Sequence, residues 1–74
     1  MDANHLMKMA NQIGYFFESM PDRIEAQKGV VNHIKSFWDP RMRKAFLSSL
    51  DAHQDTTLTA FVKEAVTTHR AALS

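Results

Sequence analysis

The stretch FWDPRMRK, residues 37–44, decides how this chain divides. Asp39 carries a side-chain oxygen suited to a helix N-cap, and Pro40 suits the first helical position, where its missing N–H leaves no bond unmade. The residue before a proline is itself driven out of helical geometry, so a helix arriving from upstream ends at this boundary. The spacing predicts one helix over about 22–38 and another over about 40–50.

Upstream, Leu6, Met9, Ala10, Ile13, Phe16, Phe17 and Met20 recur at i, i+3, i+4 and i+7. At 100° per residue they share an arc of roughly 120°, one wall of a core. They predict a helix over about 3–20, closed by Pro21, with Asp22 in the first turn of the next helix, where the macrodipole favours an anion. Ile24, Val31, Ile34 and Trp38 form the second stripe, with Val30 and Phe37 on its shoulder. Gly29 lies mid-helix. It is either a tolerated weakness, costing up to about 1 kcal/mol relative to alanine, or a point of close backbone approach.

Downstream, Met42, Ala45, Phe46, Ser49 and Leu50 face inward from the third helix. DAHQDTT, residues 51–57, reads as a loop. Leu58, Phe61, Val62, Ala65, Val66 and His69 mark a fourth helix over about 59–72, capped by Thr59 or Thr57. No segment alternates with period two. The expected fold is all-α: one domain, 1–74, built as a small antiparallel bundle of three to four helices. Ile13, Phe17, Ile34, Phe46 and Phe61 are expected to be largely buried.

With 74 residues and no cysteine, the chain has a small core and no disulfide to reinforce it. A partner surface is a reasonable source of further stability. The net charge of +1 argues against general polyanion binding. Charge is nonetheless local: residues 35–44 hold Lys35, Arg41, Arg43 and Lys44 against Asp39, while the remainder holds five cations and seven anions. No apolar run is long enough to span a membrane, and no targeting segment is visible, so the cytoplasm is the expected compartment.

Catalytic and metal-binding patterns are lacking. His5, His33, His53 and His69 include no i, i+4 pair and no HExxH frame, and no cysteine joins them. His69 falls on an apolar stripe near a helix C-terminus and reads as a packed histidine. Gly14 and Gly29 stand alone, without a phosphate-cradling loop. The chain reads as non-catalytic, with no cofactor and no metal of its own.

Contact candidates cluster at the quoted stretch. Arg41 and Arg43 put cations at the positive end of a helix dipole, which folding alone does not favour. They suit carboxylates, phosphates or carbonyls of another surface, or else form a solvated basic face. Trp38 lies on the second stripe and reads first as core, with an edge available at the corner. Tyr15 projects from the polar back of the first helix, either as an ordinary exposed aromatic or as a contact residue beside Asn4 and Asn11.

MANQIGYFF (9–17), HIKSFWDPRMR (33–43) and LTAFVKEAV (58–66), in that order, resemble the delta subunit of cytoplasmic, NAD-dependent formate dehydrogenases. Ala60 departs from the proline common in that family. The resemblance implies a small accessory subunit of a molybdenum or tungsten enzyme. In such an enzyme the catalytic subunit holds bis-molybdopterin guanine dinucleotide and iron–sulfur clusters and oxidises formate. Diaphorase subunits pass electrons through iron–sulfur centres and FMN to NAD⁺. It further implies a role in assembly, stability or molybdenum-cofactor loading, no cofactor in the delta chain, and contacts to the catalytic and diaphorase subunits. The signature positions are Trp38, Asp39, Pro40, Arg41 and Arg43, with Asn11 and Gln12 from the first motif. The alternative is a small helix-turn-helix-like nucleic-acid-binding protein, suggested by the tight junction before the arginines. The net charge speaks against it.

Overall fold

The computed structural model describes residues 2–74. They form five helices and, among the described residues, no strand: α1 Ala3–Glu18, α2 Arg23–Phe37, α3 Pro40–Asp51, α4 Ala60–Thr68 and α5 Arg70–Leu73. The fold is all-α. Among the described residues, no helix is long and apolar enough to cross a membrane.

Each main helix starts on a side chain chosen for the purpose. Asp2 accepts from the Asn4 N–H (3.0 Å), and Asp22 accepts from Ile24 (3.0 Å) and Glu25 (3.2 Å). Asp39 accepts from Met42 (2.9 Å) with Pro40 in the first turn, and Thr59, not Thr57, accepts from Val62 (3.3 Å). These bonds satisfy N–H groups that a helix start otherwise leaves unpaired. α3 ends in a Schellman motif. Gln54 N–H bonds to Ser49 O (2.9 Å) and His53 N–H to Leu50 O (3.1 Å), with His53 left-handed at φ 58°.

Two boundaries differ from the sequence reading. α1 stops at Glu18, because Ser19 and Met20 turn back toward Phe16 and Phe17 carbonyls ahead of Pro21. The expected fourth helix is divided at His69, whose φ of −109° and ψ of 28° break the helical path between α4 and α5. His69 is half-buried there.

α2 is the central element, packing against α1, α4 and α5, while α1 also meets α3 and α4. Ala26, Val30, Val31, Ile34 and Trp38 from the second segment meet Phe46, Leu47, Phe61, Val62, Ala65, Val66 and Leu73 in one core. The Trp38 and Phe46 rings meet edge-to-face at 5.4 Å. Gln27 is buried and donates to the Phe61 carbonyl (3.3 Å), so its amide tethers α2 to α4. Beside it Arg23 pairs with Glu64 (3.0 Å) and lies over the Phe61 ring.

The α1 face inside the core is not the one the stripe suggests. Leu6, Met7, Ala10 and Gly14 are buried, whereas Ile13 and Phe17, expected to be largely buried, are only half-buried. Ile34, Phe46 and Phe61 are buried as expected. The reason is closeness of packing. Small residues at Ala10 and Gly14 let α1 approach α4 so tightly that a Cβ at Gly14 would overlap the Val62 side chain.

Two carboxyls carry a pH consequence. The hydrogen bond from Lys63 (3.2 Å) holds Asp55 below the ordinary carboxylate range, and that from Arg23 does the same for Glu64. A pKa depressed by folding stabilises the fold above the unfolded value, and this is lost as pH falls through the folded one. Between about pH 5 and about pH 3, the melting temperature of wild type should fall more steeply than that of Lys63→Met/Arg23→Met. Parallel slopes would show that these pairs do not couple folding to protonation.

Candidate docking face

α1 carries two apolar stripes about 110° apart at 100° per residue. Leu6, Met7, Ala10 and Gly14 form the inner one; Met9, Ile13 and Phe16 form the outer. On α2 the line Gly29, His33, Phe37 faces the outer stripe. Phe17 is seated directly on Gly29, where a Cβ would stand 2.6 Å from its ring. Gly29 therefore admits a side chain, neither a backbone nor a mere weakness.

Between these rows lies an open apolar groove of about 440 Å³, lined by Met9, Ile13, Phe16, Phe17, His33 and Trp38 with Gln12. A chain of ring contacts crosses it: Phe16 to Phe17 (5.0 Å), Phe17 to His33 (6.4 Å) and His33 to Phe37 (4.6 Å). Phe16 is 73% exposed and Phe37 76%. Large aromatics left this open on a small chain are typical of surfaces that meet another molecule.

The residues proposed from sequence have different places in the structure. Trp38, 5% exposed, is a core residue that also forms one wall of the groove. Asp39 and Pro40 build the start of α3. Asn11 is structural: its Nδ2 donates to Thr57 O (2.8 Å) and its Oδ1 accepts from Thr59 N–H (3.0 Å), pinning the loop before α4 to α1. Gln12 is exposed and borders both the groove and a shallow recess that contains Tyr15 and Lys8.

The arginines part company. Arg43, read from sequence as unexplained by folding, donates from Nη1 to the carbonyls of Lys35 (2.9 Å) and Trp38 (3.1 Å). It ties down carbonyls that the end of α2 leaves unpaired, and this outweighs its unfavourable place on the α3 dipole. Arg41 is exposed and makes no ion pair among the described residues. The two should separate in a melting experiment. Arg43→Ala is expected to cost about 1 kcal/mol through lost charge-assisted bonds, and Arg41→Ala to leave stability unchanged or slightly raised. Equal melting temperatures for the two variants would remove the structural role of Arg43.

The family model of the NADH-dependent formate dehydrogenase delta subunit, FdsD, matches residues 5–66. The chain belongs to this family. Neither a curated protein nor a solved structure matches it. The span matched to the delta-subunit family takes in the groove, the α2–α3 junction and α4 as far as Val66. It is thus a formate dehydrogenase subunit family whose member here presents a built helical scaffold with one open aromatic face. Among the described residues, no group of three His, Asp or Glu side chains is placed to hold a metal ion.

Sequence reasoning missed Phe16, Met20, Ile24 and Phe37 as surface residues. A signal was present. In α1 the small residues Ala10 and Gly14 mark the side that approaches other helices closely.

Proposed function

We propose that this chain is a non-catalytic accessory subunit that docks on the other subunits of an NADH-dependent formate dehydrogenase. Its role is assembly, stability or molybdenum-cofactor loading of the catalytic subunit, through protein contacts alone. The observation that supports this best is the aromatic face left open between α1 and α2, in a chain whose family is a subunit of that enzyme. The partners are the molybdenum-containing catalytic subunit and its diaphorase subunits. The chain itself carries no cofactor, and its place of action is the cytoplasm.

The experiment is to purify the enzyme through a tag on the catalytic subunit, with and without the gene for this chain. The expected result is copurification of the chain at fixed stoichiometry, with lower molybdenum content and lower formate oxidation when it is missing. An enzyme of full metal content and full activity that never retains the chain would overturn the proposal.

A further inference from the structure

We infer that the recess between α3 and α5 receives an acidic segment of a partner protein. Its carboxylates meet Lys44 and Arg43, and an apolar side chain beside them covers Leu47 and Leu73. This rests on the docking role proposed above and adds a second contact, one that shares no residue with the α1–α2 groove.

Two helix flanks build the recess. α3 supplies Arg43, Lys44, Leu47 and Asp51, and α5 supplies Arg70 and Leu73. Its volume is about 420 Å³. Leu47 and Leu73 belong to the buried core and close its floor. Arg70 reaches Asp51 across one end (2.8 Å). From Lys44 to Asp51 the α3 wall rises about 10 Å at 1.5 Å per residue, which about three residues of an extended chain would span.

Here the cations line the recess itself. Lys44 is exposed and makes no ion pair among the described residues. Arg43 uses Nη1 on the carbonyls of Lys35 and Trp38, which carry no net charge, so its own charge stays unpaired. Arg70 alone has a counter-ion, Asp51. Ser74 stands at the rim and pairs with none of the three. With a terminal carboxylate on Ser74 counted, the lining remains positive. A shallow dimple adjoins the recess at Lys44 and Ser48, which line both, and it adds Arg41. Cations gathered in this way attract an anion.

The floor decides which anion. A free phosphate has no apolar part to set on Leu47 and Leu73. A nucleic acid is disfavoured by the Asp51 carboxylate, by a net charge of only +1, and by a lining that holds no aromatic ring among the described residues. A second copy of this chain has too few carboxylates. Asp2, Asp22 and Asp39 cap helices, and Glu25, Asp51, Asp55 and Glu64 are ion-paired, which leaves Glu18 alone. A different chain with Asp or Glu on both sides of an apolar residue satisfies the cations and the floor together.

The test uses the assembled enzyme. Ser48, exposed in the recess, is replaced by the photo-crosslinker benzoylphenylalanine, with the same replacement of Tyr15 as a control on another face. Cross-linked peptides are sequenced after irradiation. The expected product from position 48 is one segment of a partner subunit in which Asp or Glu flank an apolar residue. A synthetic peptide of that segment should bind the full chain, more weakly as salt rises. Lys44→Glu should weaken binding by at least about tenfold. Lys8→Glu makes the same charge change at an exposed lysine outside the recess, and binding should be unchanged. A peptide with its carboxylates exchanged for lysines should prefer Lys44→Glu to wild type. These positions are exposed, so melting temperatures should stay at the wild-type value. A cross-link to a second copy, to nucleic acid or to a segment without carboxylates overturns the inference. So does a peptide that fails to bind, saturable binding of inorganic phosphate in its place, or equal weakening by Lys44→Glu and Lys8→Glu. No cross-link from a chain that still copurifies overturns it as well. In those cases the docking role stands; both fall if the wild-type chain fails to copurify.

Discussion

Phe46→Ala should remove a large share of the stability of this chain in isolation. Phe46 is fully buried, stands edge-to-face against Trp38, and sits where α3 meets the core. Truncating such a ring removes its transfer free energy and leaves a cavity, for a total of about 3–5 kcal/mol. Native stability runs at about 0.05–0.15 kcal/mol per residue, about 4–11 kcal/mol for a chain of 74 residues, so the loss is a large share of the whole. Urea titration followed by circular dichroism should show a collapse of the midpoint. Phe16→Ala is the control: its ring is mostly in solvent, and the midpoint should barely move. Equal midpoints for the two variants would mean that the core is misassigned.

The second large effect is expected at Gly14. Alanine is normally the better helix former, by roughly 0.5–1 kcal/mol, so an unobstructed Gly14→Ala should stabilise the chain. Here the new methyl would overlap the Val62 side chain, which is itself fully buried and stiff at χ1. Overpacking of this kind costs about 1–3 kcal/mol, and destabilisation should prevail. Gly29→Ala supplies the comparison. Its methyl meets the Phe17 ring, which is half-buried beside an open groove and has room to swing outward. Stability should change little in that variant. If Gly14→Ala melts at or above the wild-type temperature, the close approach of α1 and α4 is absent in solution.

The difference between two mid-helix glycines cannot be read from their neighbours in sequence. Each depends on what a distant helix places opposite the missing Cβ. The same holds for the arginines. Two residues apart and chemically identical, Arg41 remains in solvent while Arg43 reaches back over the junction to close the preceding helix. Asn11 belongs with them, since its two bonds reach Thr57 and Thr59, more than forty residues along the chain.

What the sequence determined unaided was everything carried by local geometry. Asp39 with Pro40 set where α3 begins, because a cap acts on N–H groups two or three residues away. Asp22, read as a first-turn residue, is the cap itself, and Thr59 was one of two candidates. The 3.6-residue period of the apolar positions set the all-α class. Of the fourth stripe, Phe61, Val62, Ala65 and Val66 on α4, with Leu58 just ahead of it, are buried as the spacing implied, while His69 is half-buried. Only the tertiary structure decided which of two apolar stripes on α1 turned inward. Hydrophobicity ranks Phe16 above Gly14, yet close packing rewards the residue that lets two backbones approach, so Gly14 lies inside and Phe16 lies in solvent. The outer stripe is thereby left open along the groove, and the period of a single helix cannot reveal it, because a stripe facing a core and a stripe facing a partner have the same spacing.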